Sequence, residues 1–222
     1  MPLMKRTLVF GDVHGCLTPL ELLWGQIQPT PADRVVFLGD YVDRGPDSRG
    51  VVDFCLGLDP VLDAAFLSGN HEEKFFLANL HESDRLDWLA NWGGAATLAS
   101  YGDSLDDVPS EHWNFLGRCL PYVETESHVF VHANLEHDVP LDRQLPFTLV
   151  HKKFGTPLPH RSGKTMICGH TAQKTGVPRN LGHAVCIDTD PDRGGWLTCL
   201  HVETGEYWQA NLKGESRRGR LA

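Results

Sequence analysis

Three short segments of the sequence combine metal-binding and acid–base side chains with glycine. They are GDVHG at residues 11–15, GDYVDRG at 39–45 and GNHE at 69–72. Each follows an apolar run of the kind that forms a strand, so the carboxylates, imidazoles and amide lie in turns at strand ends. Oxygen and imidazole ligands in this combination suit a pair of divalent metal ions that cleave a phosphate ester.

The elements that must position these segments alternate between strand and helix. The apolar spacing predicts strands at 7–10, 34–38 and 61–67 and helices at 17–27, 48–58 and 72–80. Such an alternation favours right-handed crossovers and a partly parallel sheet. Ligands of parallel sheets bind beyond the carboxyl ends of the strands, which is where all three segments fall.

The rest of the chain changes character twice. Residues 82–126 have short helical patterns and tryptophans, and we expect them to form a helical cap. The second half is rich in predicted strands, with an exposed loop expected at 157–164. The basic residues 214–222 are predicted to be a flexible tail. Without repeats or linkers, residues 1–213 are predicted to be one domain.

Composition argues against several classes of protein. The 222 residues carry a net charge of −9 and no basic stripe, which argues against nucleic-acid binding. No apolar stretch approaches the roughly 20 residues that span a bilayer, and residues 1–6 lack the features of a signal peptide. The six cysteines have no CxxC pairing and are expected to be reduced. We therefore expect a cytoplasmic protein without a membrane partner; no oligomeric state is predicted.

Two later segments, VFVHA at 129–133 and MICGHT at 166–171, add a histidine after each of two further strands. Taken in order, the five segments resemble the metallophosphoesterase superfamily, and within it the phosphoprotein phosphatases of bacteria and bacteriophages. The resemblance covers nearly the whole chain. It implies an α/β fold: a β-sandwich of mixed sheets flanked by helices, in four layers (α/β/β/α), with a small helical cap. Residues 1–213 would be one calcineurin-like domain.

The resemblance also implies a set of metal ligands. Asp12 and His14 would bind the first ion, Asp40 would bridge both, and the second ion would be completed by Asn70, His132 and His170. Imidazole ligands favour manganese, with iron or zinc as alternatives, over magnesium or calcium. A hydroxide between the two ions would attack phosphorus directly, without a phosphoenzyme.

Catalytic and substrate-binding roles follow from the same resemblance. His71 would act as the general acid that protonates the leaving group, held by a hydrogen bond to Asp43. Arg44 would grip phosphate oxygens with its planar guanidinium, and Asn70 would donate its amide NH₂ to the phosphate.

The sequence departs from the family pattern in two places. Ser68 precedes GNHE and residues 73–74 follow it, where protein phosphatases commonly carry an arginine beside this segment. Residues 149–154 stand where family members tend to have an apolar-Trp-x-Arg segment. Lys152 is the candidate substitute for that phosphate-binding arginine, although a lysine offers no bidentate fork.

Three functions remain open on these residues. The leading hypothesis is a phosphatase for phosphoserine and phosphothreonine in proteins. The alternative is a hydrolase of dinucleoside polyphosphates such as diadenosine tetraphosphate. Asp43 and the glutamate of GNHE favour the first, because the symmetrical tetraphosphatases that the chain resembles generally lack both, whereas the missing arginines favour the second. The third is an inactive scaffold that binds phosphoproteins. The expected partner is accordingly a phosphorylated protein or a small phosphoester or nucleotide.

Overall fold

The computed structural model describes residues 6–58 and 61–222, and within them the chain forms eleven strands and seven α-helices. The strands are β1 Thr7–Phe10, β2 Arg34–Phe37, β3 Asp63–Phe66, β4 Tyr122–Glu124, β5 His128–Val131, β6 Thr165–Cys168, β7 Arg179–Asn180, β8 Ala184–Cys186, β9 Leu197–His201, β10 Glu206–Ala210 and β11 Ser216–Arg220. The helices are α1 Leu17–Ile27, α2 Ser48–Leu58, α3 Asn70–Leu80, α4 Glu82–Asp87, α5 Gly94–Tyr101, α6 Ser110–Gly117 and α7 Pro146–His151. The prediction about a signal peptide falls mostly on residues 1–5, outside the described residues.

The first sheet has six strands in the order β11-β10-β9-β1-β2-β3. Strands β1, β2 and β3 are parallel, as the alternation of strands and helices predicts, with Val9 beside Val36 and Phe10 beside Phe37. The three strands from the end of the chain join on the other side of β1, where β9 pairs antiparallel with it. The carboxyl ends of β1, β2 and β3 therefore lie next to one another.

The second sheet has five strands in the order β4-β5-β6-β8-β7. Its three central strands β5, β6 and β8 are parallel, and the two outer strands run antiparallel to them. As in the first sheet, the parallel strands in the middle end at one edge, which brings the turns that follow β5, β6 and β8 together.

Apolar side chains fill the space on both faces of the first sheet. Between the sheets, Val9, Val36 and Leu38 pack with Phe130 and Ile167 of the second sheet. The opposite face of the first sheet packs on α1, α2, α3 and the cap, whereas that of the second sheet packs on α7 and neighbouring loops. These layers confirm the predicted α/β/β/α architecture.

Helices α1 and α2 have the predicted bounds because their apolar residues recur every three or four positions. In α1, Leu20, Leu23 and Ile27 face the core, and in α2 the buried residues include Val51 and Cys55. This spacing places the apolar side chains along one stripe of each helix.

The cap consists of α4, a π-helical turn at Trp88–Trp92, α5 and α6. Its turn depends on Gly93, which has φ +89° and lies so close to the backbone of Arg44 that a Cβ would be 2.7 Å from its nitrogen. A Cβ on Gly94 would overlap the ring of Trp88. The cap can therefore lie directly against the loop after β2 only with glycine at both positions.

The predicted flexible tail at 214–222 is wrong. Residues Ser216–Arg220 form β11, which pairs antiparallel with β10 over five residue pairs. The sequence lacks the apolar alternation of a strand because arginines supply the packing: Arg217 stacks over Trp196 at 4.2 Å and Arg218 over Trp208 at 5.8 Å. Guanidinium groups over indole rings stabilise this edge strand in place of apolar side chains.

Two expectations from the composition concern membrane-spanning segments and the cysteines. Across them, no helix has the length and apolar character needed to cross a bilayer. All six cysteines are unpaired, and five of them are buried, as expected for small core residues.

Candidate metal centre

Apart from Lys152, the predicted site residues follow the carboxyl ends of five strands. Asp12 and His14 follow β1, Asp40 to Arg44 follow β2, and Asn70 and His71 begin α3 directly after β3. From the second sheet, His132 follows β5 and His170 follows β6. Five of these residues have positive φ, a conformation that is unfavourable for side chains other than glycine and is concentrated at functional sites: His14, Asp40, Asp43, Arg44 and His170.

A first group of potential metal ligands comprises His14, Asp40 and His71, whose ligand atoms all lie within 4.8 Å of one another. The Nε2 atom of His14 is 3.4 Å from Oδ2 of Asp40. All three residues are buried. This group includes the predicted general acid His71 as well as two predicted ligands.

A second group comprises Asp40, His132 and His170 within the same limit. Oδ1 of Asp40 is 3.4 Å from Nε2 of His132. The two carboxylate oxygens of Asp40 thus face different groups, which is the arrangement expected of a ligand shared by two ions. The amide oxygen of Asn70 lies between the two imidazoles, 3.1 Å from His132 Nε2 and 2.9 Å from His170 Nδ1.

Backbone carbonyls determine which nitrogen of each imidazole faces the centre. Val42 O lies 3.1 Å from Nδ1 of His14 and Leu38 O lies 2.8 Å from Nδ1 of His132. For His170 the partner is the carbonyl of His151, at 2.9 Å from Nε2. A ring nitrogen beside a carbonyl must carry the proton, so the opposite nitrogen of each neutral ring turns its lone pair towards the centre; for His14 that nitrogen lies 2.8 Å from Nη1 of Arg44.

This donor set fits a cation. With those tautomers, the lone-pair nitrogens of His132 and His170 both lie within 3.1 Å of another acceptor, the amide oxygen of Asn70, and the carboxylate of Asp40 is 3.4 Å from His132. Acceptors repel one another unless a cation lies between them. The residues present therefore fit the divalent ions that the sequence predicts.

Burial sets the charges of these groups. It lowers the pKa of His14 and His132 below the ordinary value, and burial together with His132 lowers the pKa of His170 to about 3. Burial would raise the pKa of Asp40, but the neighbouring imidazoles outweigh it and lower that pKa. Neutral imidazoles around an ionised carboxylate are the forms that bind metals.

Asp12 lies outside both groups. Its carboxylate accepts hydrogen bonds from the backbone nitrogen of His170 at 2.9 and 3.1 Å. Burial, Asp188 and Asp40 together raise its pKa well above the usual value. Buried carboxylates that lie close to Asp12 repel its negative charge, and a cation bound beside them would reduce this repulsion. Asp188, which follows β8, was not singled out as a site residue in the sequence, although it too lies at a strand end.

Glu72 joins two of the predicted turns. Its carboxylate accepts hydrogen bonds at 2.8 Å from the backbone nitrogens of Asp40, Tyr41 and Gly69. It is fully buried, and burial with the nearby Asp40 raises its pKa to about 7 in spite of these bonds. Glu72 thereby fixes the turn after β2 to the start of α3 and supports the site without facing the ligand groups.

Asp43 and His71 form a buried pair. Oδ2 of Asp43 is 2.7 Å from Nδ1 of His71, and the two side chains are 0% and 1% exposed. Trp88 and Thr97 of the cap also donate to Asp43, each at 2.8 Å from Oδ1. Burial would lower the pKa of His71, but Asp40 and Asp43 outweigh it and raise that pKa. The sequence did not predict the role of Trp88 and Thr97, because their distance along the chain hides the contact.

Arg44 lies across the mouth of the centre. Its guanidinium lies 2.8 Å from Nε2 of His14 through Nη1 and 2.8 Å from Nε2 of His71 through Nη2. Its side chain is 30% exposed, so the same group reaches solvent. An arginine at this place can contact both the metal centre and a phosphate that enters from outside.

A cleft of about 430 Å³ opens over the centre. Besides site residues, its walls include Trp92 from the cap and Phe147, His151 and Lys153 from α7 and the segment after it. Phe147 is 67% exposed and stacks on His151 with ring centroids 5.1 Å apart. The sequence missed this wall, since a phenylalanine in the first turn of a short helix and a histidine at its last residue carry no motif.

Lys152 does not line this cleft. Its Nζ is 2.6 Å from Oε1 of Glu136 and lies over a neighbouring surface. Helix α7 ends at His151, and the extended backbone of Lys152 turns consecutive side chains in opposite directions. Lys153 therefore faces the cleft in its place, a one-residue difference that the sequence pattern could not resolve.

Comparison with known proteins identifies the family. The family model of calcineurin-like phosphoesterases matches residues 5–174. The chain belongs to the calcineurin-like phosphoesterase family. As a member of it, the chain is a metallophosphoesterase, a hydrolase of a family that uses divalent metal ions, and the described residues contain the two groups of potential metal ligands given above.

Relatives of this calcineurin-like phosphoesterase carry two kinds of name. It is 38% identical to the asymmetrical bis(5′-nucleosyl)-tetraphosphatase PrpE of Oceanobacillus iheyensis, over 90% of this chain and 89% of that protein. It is 37% identical to serine/threonine-protein phosphatase 1 of Salmonella typhimurium, over 90% of this chain and 93% of that protein. Sequence similarity alone thus does not distinguish protein from dinucleotide substrates.

Other matches are partial or show only the fold. With the symmetrical tetraphosphatase of Erwinia tasmaniensis the alignment covers 39% of this chain and 36% of that protein, at 37% identity. A solved structure named provisionally as a diadenosine tetraphosphatase superposes with a TM-score of 0.69 and 22% identity, over 100% of this chain and 96% of that one.

Proposed function

We propose that this metallophosphoesterase hydrolyses phosphate monoesters of serine and threonine in proteins. The buried Asp43–His71 pair is the observation that carries the proposal. An alkoxide leaving group needs a proton far more than a phosphate or nucleotide leaving group does, and a carboxylate that holds an imidazolium in place supplies one. His71 reaches the cleft while Asp43, Trp88 and Thr97 fix its other side.

The proposed metal ligands are those predicted from the sequence: Asp12, His14, Asp40, Asn70, His132 and His170. When bound there, two divalent cations supply an activated water and positive charge for the phosphate oxygens. Imidazole-rich ligand groups favour manganese, with iron or zinc as alternatives.

The other residues of the cleft would orient the phosphate. Arg44 offers a planar, partly exposed guanidinium next to His71, and Asn70 can donate its amide NH₂ to a phosphate oxygen. Lys153 adds a positive charge on the opposite wall. We propose Lys153, in place of Lys152, as the cation that compensates for the arginine missing from this segment. A cytoplasmic location is part of the same proposal.

A second candidate function is hydrolysis of dinucleoside polyphosphates. The exposed ring of Phe147 favours it, because an aromatic surface at the rim of a phosphate-binding cleft can stack on a nucleobase. Trp92 lines the same cleft. The asymmetrical tetraphosphatase PrpE of Oceanobacillus iheyensis is similar to this chain over nearly its whole length.

The experiment that tests both candidates compares kcat/KM of the manganese-loaded protein on a phosphothreonine peptide and on diadenosine tetraphosphate. Preference for the peptide supports the proposal. Preference for the dinucleotide, together with a selective loss of that activity in Phe147→Ala, supports the second candidate. No turnover of either substrate or of an aryl phosphate, with metals shown to be bound, would indicate a phosphoprotein-binding scaffold.

A further inference from the structure

The carboxylate of Asp192 is buried, and its burial is expected to lower the stability of the folded protein. Its side chain is 3% exposed, and its Oδ1 atom is buried without a hydrogen-bond partner among the described residues. A buried carboxylate oxygen that accepts no hydrogen bond costs stability. Since the burial of this oxygen does not stabilise the loop, a role other than stability must account for it.

Hydrogen bonds fix the backbone of the loop that carries this carboxylate. Residues Pro191–Arg193 form a single 3₁₀ turn between β8 and β9. The backbone nitrogen of Asp190 donates to Asp188 at 3.0 Å, and that of Gly195 donates to the carbonyl of Asp190 at 2.9 Å. These bonds fix the backbone of the loop on either side of Asp192.

Two guanidinium groups lie near the Asp192 carboxylate. Nε of Arg193 is 3.6 Å from Oδ2, but the Arg193 side chain is 63% exposed and contributes little as a partner. On the inner side, Nη1 of Arg44 is 4.0 Å from Oδ1, the atom without a hydrogen-bond partner. The charge that faces the buried oxygen is therefore that of Arg44.

Arg44 itself needs such a partner. Its backbone is held at φ +70° and by a hydrogen bond from its nitrogen to Gly93, but beyond the backbone its guanidinium contacts only ring nitrogens of His14 and His71 among the hydrogen bonds described. A long side chain without a carboxylate partner can adopt many rotamers. Restricting it to one of them when a phosphate binds costs conformational entropy and so lowers the affinity for phosphate.

We propose that Asp192 is a positioning residue that holds the guanidinium of Arg44 where its fork meets the phosphate oxygens of substrate or product. Asp192 acts on the reaction only through Arg44. The inference rests on the proposed phosphoester hydrolysis, and it names a residue outside the motifs that carry the family resemblance.

The test uses the manganese-loaded protein and the variant Asp192→Asn. Asp190→Asn is the matched control, because it removes the same charge from the same loop, and among the described residues the ion pair of this loop with Arg44 is made by Asp192. Calorimetry gives the dissociation constant of inorganic phosphate, steady-state kinetics give KM and kcat on an aryl phosphate, and thermal unfolding gives Tm. The same measurements are made for Arg44→Ala with and without Asp192→Asn.

In Asp192→Asn we expect phosphate affinity to fall about tenfold, with a similar rise in KM and a smaller change in kcat. Tm should stay the same or rise, because a buried charge without a hydrogen bond is removed. Asp190→Asn should bind phosphate like the wild type. In the Arg44→Ala background, Asp192→Asn should have no further effect on phosphate affinity.

Several results would overturn the inference: unchanged phosphate affinity in Asp192→Asn, an equal loss in the Arg44→Ala background, or a wild-type protein that binds no phosphate. A drop in Tm that accompanies the loss of affinity would assign Asp192 a structural role instead. If the wild type hydrolyses no ester but Asp192→Asn still weakens phosphate binding through Arg44, the positioning role stands and the proposed function falls.

Discussion

Replacing Asp43 by asparagine should slow the hydrolysis of alkyl phosphate esters about a hundredfold while leaving the metal content unchanged. In the structure Asp43 accepts hydrogen bonds from three donors: Nδ1 of His71 at 2.7 Å, and Trp88 and Thr97 at 2.8 Å each. The substitution keeps the shape of the side chain but removes its charge, so it separates the role of the carboxylate from that of packing.

The expected magnitude has two parts. The charge of Asp43 helps to raise the pKa of His71, so loss of that charge lowers the pKa of the imidazole. Fewer His71 side chains are then protonated at neutral pH, which we expect to slow the acid-assisted step about tenfold. The asparagine amide has a single acceptor oxygen for three donors, so the imidazole also loses its fixed orientation, which we put at about another tenfold.

The assay compares two leaving groups. For a phosphothreonine peptide, kcat of Asp43→Asn should fall about a hundredfold, whereas an aryl phosphate, whose leaving group needs no proton, should lose less than about tenfold. Asp53→Asn is the matched control: Asp53 pairs with His112 at 3.0 Å in the cap, outside the cleft, and its loss should change neither rate.

The pH profile supplies an independent readout. Because the pKa of His71 is raised, the wild-type rate on the peptide should decline only as the pH rises through that raised value. In Asp43→Asn the decline should begin at lower pH. Equal losses on the peptide and the aryl phosphate, with an unchanged pH profile, would refute the assignment of His71 as general acid.

Three further predictions concern the cleft wall and the fold. Lys153→Ala should raise KM for phosphate esters severalfold in steady-state assays, whereas Lys152→Ala should not; equal effects would contradict the assignment of Lys153. Asp33→Asn should lower the free energy of unfolding in urea by about 2 kcal/mol at pH 7, because a paired arginine, Arg6, lowers the pKa of Asp33 to about 2. That stabilisation is present above about pH 4 and lost towards pH 2, so a deficit that persists at pH 2 would exclude this cause. Deletion of residues 214–222 should lower Tm by several degrees, since β10 becomes an exposed edge; an unchanged Tm would show that β11 adds no stability.

Much of the fold followed from the sequence because local periodicity and strand-end turns agree with the packing that results. The bounds of α1 and α2 and the parallel order of β1, β2 and β3 are set by apolar stripes and short connections, which a sequence displays directly. Strand β11 was missed because arginines stacked on tryptophans take the place of its apolar face, and periodicity does not record such contacts.

The site could be predicted where a residue type and its place after a strand coincide. Asp40 and His132 are examples, since one carboxylate and one imidazole at neighbouring strand ends must meet. The contacts of Asp43 with Thr97 and of Arg44 with Asp192 join loops that are far apart in the chain, so only the tertiary structure reveals them. Whether Lys152 or Lys153 faces the cleft depends on where α7 ends, and the end of a helix is its least predictable feature.

The pairing of β1 with β9 has a consequence for synthesis on the ribosome. Strand β1 ends at Phe10, but β9, which covers one of its edges, begins only at Leu197. Until translation passes Leu197, the nascent chain contains the apolar strand β1 with one edge unpaired. The last proposed ligand, His170, has already been synthesised by then. A ribosome-bound fragment that stops short of β9 therefore contains every proposed metal ligand but leaves one edge of β1 unpaired, and we expect it to be prone to pair with other chains.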